Sequence, residues 1–291
     1  MQTIQFYEPS RQVNPLSFGI TLLIGIVAML VLGYIYSILI IFIPIIYANV
    51  LITIGFGLAI AYLIKILGKL FHNRHKQSLL AQAVILGLLA NLFQWITYVL
   101  YMYIGEYPSP LDYLANIPVF INPLNLFPLI TEINAVGTWS IFGITFSGGL
   151  LALVWIIEFL MILGIPVLMI LGTTIPPYSE LSKKWYPQFI LDKDFTSMVA
   201  GEELLKQLST GTLNTLQGFK EGGATRFSKI SLYYLPNEMD QYLSIDRYFI
   251  EDQGKGKTEQ TAIVENLKIK AVEAKAILDH FKYQKLSFSI L

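Results

Sequence analysis

The sequence predicts a membrane α-helical bundle of four transmembrane helices joined to a small cytoplasmic α/β domain. Three observations point there. Charged residues make up 14% of the 291 residues, against roughly 25% in an ordinary soluble protein. They are also unevenly placed: residues 1–175 hold five Lys/Arg and five Asp/Glu, and residues 176–291 hold the remaining fifteen of each. The first part contains charge-free apolar stretches of the length a bilayer requires. Two solvents follow, lipid for a transmembrane domain at 1–175 and water for a domain at 176–291.

The same counts exclude several functions. Net charge is zero in each part, so nucleic acid finds no basic face. There is no cysteine, which removes disulfides, thiol catalysis and thiolate metal centres. Fairly polar residues precede the first apolar run. That run is longer than the core of a secretory signal and ends in no small-x-small cleavage site, so the first helix is expected to be retained.

The helices follow from charge-free lengths. No charged residue lies between Arg11 and Lys65, a stretch of 53 residues. As helix it would extend about 80 Å, against a hydrocarbon core of about 30 Å, so it crosses twice. Pro44, which lacks a helical donor, and Asn49 mark the turn. The first helix is expected at 17–41 and the second at 48–70. The stretch between Lys76 and Glu106 gives a third at 78–104. The block 140–171, interrupted only by Glu158, gives a fourth, bent at Gly148-Gly149 or Pro166. Gly33/Ser37, Gly55/Ala59, Ala83/Gly87 and Gly143/Ser147 offer small-xxx-small contacts.

Orientation follows from the basic residues. Lys65, Lys69, Arg74 and Lys76 cluster in the connection between helices two and three, where they suit anionic lipid headgroups. Arg11 precedes helix one, and Lys183 and Lys184 follow helix four. The outer connections carry only acidic residues. Basic residues mark the cytoplasmic face, so both termini are placed there. Tyr34, Tyr36, Tyr47, Tyr98, Tyr101, Tyr103 and Trp139 fall near the outer face as an aromatic belt. The outer loop, 105–139, holds five prolines (Pro108, Pro110, Pro118, Pro123 and Pro128), which forbid a long helix. Its apolar content expects it to lie on the membrane surface or pack over the bundle.

The tail reads α-β-β-β-α, a small antiparallel meander with helices on one side. A helix is expected at Asp194–Leu208, capped by Asp194. Alternating strands follow at Arg226–Leu235, Gln241–Ile250 and Thr258–Ile269, and a last helix at Lys270–Tyr283. Gly211, Gly218, Gly222 and Gly223 match neither a phosphate loop nor a dinucleotide fingerprint and read as a connector. Gly254-Lys255-Gly256-Lys257 resembles a basic phosphate nest and equally a hairpin turn.

Glu158 is the informative residue, because an ionisable group within a membrane helix is costly and marks a functional site by default. Gly87, Asn91, Gln94, Tyr98 and Tyr101 form one stripe on helix three. Asn91 and Glu158 are expected at similar depth, with Glu158 hydrogen-bonded to Asn91 or Gln94. That polar site (Glu158, Asn91, Gln94, Tyr98) serves as interhelical glue, for proton or cation handling or, ranking last, as a catalytic acid. His72 and His75 are two imidazoles, too few for a metal site. No nucleophile motif, metalloprotease motif or Walker sequence occurs, and no cofactor is expected.

The pattern Tyr36…Pro44-x-x-Tyr47-x-Asn49…Gly55-Phe56-Gly57, then Asn73-Arg74, Gly137-Thr138-Trp139-Ser140 and Trp155-x-x-Glu158, resembles a loosely defined set of uncharacterised bacterial four-helix membrane proteins. The resemblance covers roughly residues 16–180. It implies a bacterial inner-membrane location and transfers no activity. Absent reaction motifs favour a non-catalytic scaffold or accessory subunit, with the lipid bilayer and a protein partner or second copy as partners. A small oligomeric channel or transporter built on Glu158, Asn91 and Gln94 is the alternative, and a lipid-acting enzyme ranks last.

Overall fold

A computed structural model describes residues 4–10, 13–43, 45–141, 144–250 and 258–286. The chain divides into two compact units, one built on residues 10–174 and the other on residues 175–286 together with the N-terminal segment 4–9.

The first unit is helical. It runs through α1 (Pro15–Phe42), α2 (Ile46–Leu70), α3 (Lys76–Ile104), α4 (Pro110–Phe120), α5 (Pro123–Val136), a hairpin of β1 (Trp139–Ile141) and β2 (Ile144–Phe146), and α6 (Gly148–Leu171). Helices α1, α2, α3 and α6 are long and apolar enough to cross a membrane. The expected ends of the first three lie within two residues of those found. Asn14 starts α1 by accepting from the amides of Leu16 and Ser17, with Pro15 in the first turn. His75 starts α3 by accepting from the amide of Ser78. Pro44, the expected turn residue, lies outside the described residues.

The fourth long helix begins at Gly148, not at 140. The preceding stretch folds back as the β1–β2 hairpin. Gly137 allows this: its φ is +85°, and a Cβ there would lie 2.6 Å from the carbonyl oxygen of Phe146.

Glycines set the helix contacts. A Cβ on Gly33 would lie 3.0 Å from Phe93 Cβ and 3.1 Å from the Gln94 amide, so α1 and α3 touch nearly backbone to backbone. Gly87 of α3 meets Leu163 of α6, and Gly57 of α2 meets Ile165 of α6. Such close approach is how apolar helices gain van der Waals contact. Of the expected pairs, Gly33/Ser37 and Ala83/Gly87 sit at contacts. Gly55 faces open space, and Gly57 takes its place. Gly143 lies outside the described residues.

Residues 110–136 form two short helices bent by 113°, in keeping with prolines that forbid one long helix. Proline starts both: Pro110 and Pro123 occupy first turns, behind the caps Ser109 and Asn122. Ser109 and Asp112 complete a reciprocal capping box. The pair does pack over the bundle. Leu126 and Ile133 of α5 bury against Val99 of α3. The Tyr34 hydroxyl donates to the Pro108 carbonyl, and Tyr113 donates to that of Leu30.

The second unit contains a hairpin of β3 (Tyr178–Ser179) and β4 (Lys184–Trp185), then β5 (Gln188–Leu191), β6 (Phe195–Thr196), α7 (Glu202–Thr210), α8 (Thr212–Gly218), β7 (Arg226–Tyr233), β8 (Asp240–Ile250), β9 (Thr258–Lys270), α9 (Ala271–His280) and β10 (Tyr283–Leu286). One antiparallel sheet runs β10-β5-β7-β8-β9, with β6 beside β7. The expected meander is its β7-β8-β9 portion, and the alternating residues Ile230, Leu232, Leu243 and Ile245 are fully buried. They share a core with Leu208, Leu216 and Ile277 of the helices.

Two expectations need correction here. The helix placed from Asp194 begins only at Glu202, because Phe195–Thr196 pairs with β7 and Phe195 is wholly buried. Asp194 caps no helix and instead pairs with Lys229 at 3.3 Å. The last helix ends at His280, and Tyr283–Leu286 returns as a strand against β5. The N-terminal segment adds a further finding. Lys268 donates to the Gln5 carbonyl at 2.8 Å and Tyr7 to that of Asn266 at 2.9 Å, so residues 5–7 lie along the β9 edge.

Gly33→Ala should destabilise the first unit by about 1–3 kcal/mol, the usual range for overpacking a tight contact, while Gly55→Ala should be neutral. Thermal unfolding of both variants in one detergent checks this; equal effects would contradict the packing.

Candidate functional site

Glu158 sits in the middle of α6, flanked by apolar residues. Sequence reading pairs it with Asn91 or Gln94. The structure pairs it with Tyr36 of α1, whose hydroxyl meets Glu158 Oε1. The same hydroxyl lies 2.8 Å from Thr53 Oγ1 of α2, and Thr53 donates to the Asn49 carbonyl at 2.8 Å. Tyr36 is held by stacking on Phe56, with ring centroids 4.5 Å apart. It is 2% exposed, so it leaves the aromatic belt where sequence reading placed it. Its side chain faces the neighbouring helices instead.

Counting hydrogens defines what this junction can do. Three contacts run Glu158–Tyr36–Thr53–Asn49. With the carboxyl ionised, two hydroxyl hydrogens serve three contacts, and one contact lacks a donor. In the structure Tyr36 donates to Glu158 Oε1 and Thr53 to the Asn49 carbonyl; a proton on Glu158 would supply a third hydrogen and let the Tyr36 hydroxyl turn toward Thr53, so that each contact holds one. The junction thus links the carboxyl of α6 to hydroxyls on two further helices, Tyr36 of α1 and Thr53 of α2.

Asn91 and Gln94 are each 4% exposed. Asn91 Nδ2 bonds its own helix at the Gly87 carbonyl, and its Oδ1 has no hydrogen-bond partner among the described residues. Gln94 contributes its carbonyl, which accepts from Ser37 at 2.6 Å. Tyr98 packs edge-on against Trp95, which meets Trp155 of α6 at 4.9 Å. The expected facing of α3 and α6 is present at Gly87 and Leu163, whereas the carboxyl–amide bond is not. Lys65 and Lys69 occupy the last turns of α2, Arg74 the connection, and Lys76 the start of α3. His75 uses Nδ1 to cap α3, which withdraws that nitrogen from metal ligation.

The second unit holds a groove that sequence reading missed. Its volume is about 990 Å³, and its walls come from residues 4–8, 178–181, Tyr186, 237–240, Tyr242 and Lys268. Tyr242 is central, edge-to-face with Tyr7 at 5.2 Å and with Tyr186 at 5.3 Å. Burial, helped by the carboxylates of Asp240 and Glu238 and by Tyr7, pushes the Tyr242 phenol up to about 12. Glu238 Oε1 accepts from the hydroxyls of Ser179 and Ser182, bonds that hold its carboxyl below the usual glutamate range. Its loop is stapled by fully buried Gln241, which donates to the carbonyls of Leu235 and Glu238 and accepts from the Leu235 amide. Four distant segments build this groove, so no local motif announces it.

A double-mutant cycle with Tyr36→Phe and Glu158→Gln should give a coupling of about 0.6–2 kcal/mol, the range for interhelical hydrogen bonds. Additive effects would contradict the junction. Glu238 ionises at lower pH when folded than when unfolded. Its bonds therefore contribute above the ordinary glutamate value of about 4.3 and are lost as pH falls through the depressed folded value. Stability should fall more steeply below that value in the wild type than in Glu238→Gln, as acid unfolding followed by circular dichroism would show.

Comparison with family models, with curated proteins and with solved structures found no match for this chain.

Proposed function

We propose that the chain is a non-catalytic integral membrane component, a scaffold or accessory subunit. Its four long helices cross a bilayer, and its α/β unit holds a protein partner in water. One observation carries this reading. Only 17% of the most apolar stretch of α6, and 28% of that of α1, is covered by the rest of the protein. Leu23, Leu160 and Leu168 are among the large side chains left open, at 64%, 58% and 68% exposure. A monomer in water does not carry apolar surface on that scale, and lipid accepts it. The partner half of the reading rests on the groove.

Parity supports four crossings. Residues 4–9 belong to the same compact unit as residues 175–286. An even number of crossings would let chain segments on either side of the helices join one folded unit, which supports this reading. Four helices satisfy this; counting the bent α4–α5 pair as a fifth span does not. The cluster Lys65, Lys69, Arg74 and Lys76 then falls on the same side as that unit, the side that the positive-inside rule makes cytoplasmic. A bacterial inner membrane fits this arrangement and the resemblance noted above.

The hydrogen count at Glu158 favours a second reading, a small oligomeric channel or transporter for protons or cations that uses Glu158, Asn91 and Gln94. In that case Glu158→Gln abolishes flux in proteoliposomes while the fold persists, and unchanged flux excludes the role.

The chain has no cysteine, so single introduced thiols report topology without background. Glu8→Cys and Ser209→Cys should react with an impermeant maleimide from the same side in sealed vesicles, and Glu106→Cys from the other. Reaction of all three from one side would overturn the bilayer reading. Cross-linking in the native membrane should also recover a stoichiometric protein partner; recovery of the chain alone would overturn the scaffold reading.

A further inference from the structure

We propose that the groove of the α/β unit docks a basic segment of the partner protein, with a lysine or arginine side chain seated against Tyr7, Tyr186 and Tyr242 and its charge met by Glu238. This rests on the reading of the chain as a partner-holding membrane component and names the chemistry of that partner.

Charge points first. Among the described residues Glu8, Glu180, Glu238 and Asp240 line the groove against a single cation, Lys268, which already pairs with Asp240 at 2.7 Å. Glu180 pairs with Lys183 at 3.4 Å, but both are well exposed, and such pairs neutralise little. The chain as a whole is neutral, so the negative groove is a local feature rather than a general surface charge.

The aromatic wall specifies the kind of cation. Tyr7, Tyr242 and Tyr186 stand at interplanar angles of 71° and 77° along the row. Rings set at steep angles present both faces and edges to one space, and the negative face of a phenol attracts an ammonium or guanidinium group. A hydrated metal ion would gain little from such a wall. An organic cation on an aliphatic stem gains contact along its length.

The rim favours a peptide. Leu181 and Met239 line the groove and are 83% and 82% exposed. Adaptable apolar side chains around a charged centre suit a protein contact, and methionine fits irregular surfaces well. Strand addition is closed at this place, because residues 5–7 already occupy the neighbouring β9 edge. Recognition therefore rests on side chains. The Gln241 staple keeps Glu238 fixed before binding, which lowers the ordering cost.

The test uses the full chain in mild detergent and a fluorescent, end-capped hexalysine, with hexaglutamate and spermine alongside. Hexalysine should bind saturably and hexaglutamate should not. Glu238→Gln and Tyr242→Leu should each weaken binding about tenfold, as expected for loss of a charged or cation–π contact, while Glu203→Gln on α7 should leave it unchanged. Circular dichroism should confirm that the Tyr242→Leu sheet is intact, and Tyr7→Leu replaces it if the sheet is not. Absence of hexalysine binding, or equal binding to all variants, overturns the proposal. Spermine binding tighter than hexalysine also overturns it, in favour of a small-polyamine site. A cross-linked partner that persists in any of these cases leaves the scaffold reading standing, so the two can fail separately.

Discussion

The helical unit depends on how it accommodates one carboxyl. A glutamate among apolar residues loses much of its hydration, and an unpaired polar group in such surroundings costs more than an ordinary hydrogen bond returns. The Tyr36 hydroxyl answers it from another helix, and Thr53 answers Tyr36 from a third. Glu158 therefore specifies which faces of α1, α2 and α6 turn inward at that depth. Glycine contacts at Gly33, Gly57 and Gly87 then let the backbones close around the junction. The short helices α4 and α5 cover the end of the bundle from which α3 emerges, through Trp95, Trp155 and the buried pair Leu126 and Ile133.

The second unit solves the opposite problem. Its strands alternate, its sheet buries one face beneath three helices, and its polar groups meet water or each other. What it leaves open is chemically coherent: three tyrosines, a glutamate fixed by two serines, and two exposed apolar side chains around a single groove. Residues 4–8 supply part of that groove although they precede α1.

Much of this was legible in the sequence, for identifiable reasons. Charge-free length located α1, α2 and α3, because the hydrocarbon thickness leaves few choices. Alternation located β7, β8 and β9, because period two is unambiguous at Ile230–Leu232 and Leu243–Ile245. The failures share a cause as well. Asp194 looked like a cap because the residues after it suit a helix; burial of Phe195 against β7 overrode that propensity. The start of the fourth helix was placed eight residues early because hydropathy cannot distinguish a short apolar hairpin from a helical turn. The prolines of 105–139 do forbid one long helix, but Pro110 and Pro123 also start two short ones, a role that chain-breaking alone does not suggest. Glu158 stands out in the sequence, but the amides that suggest a partner lie on α3, whereas its hydrogen-bond partner is Tyr36 of α1. A tyrosine on α1 carried no signal that set it apart from the belt.

The central claim is that lipid, not water, meets the open faces of the helical unit. Spin labels placed singly along α6 test it most directly, with collision rates measured against oxygen and a water-soluble nickel chelate in a bilayer. The account predicts high oxygen and low nickel accessibility at positions 153, 157 and 160, which are exposed in the structure, and low values of both at 151 and 162, which are buried. High nickel accessibility at the exposed positions would mean that water touches them, and the account would be wrong.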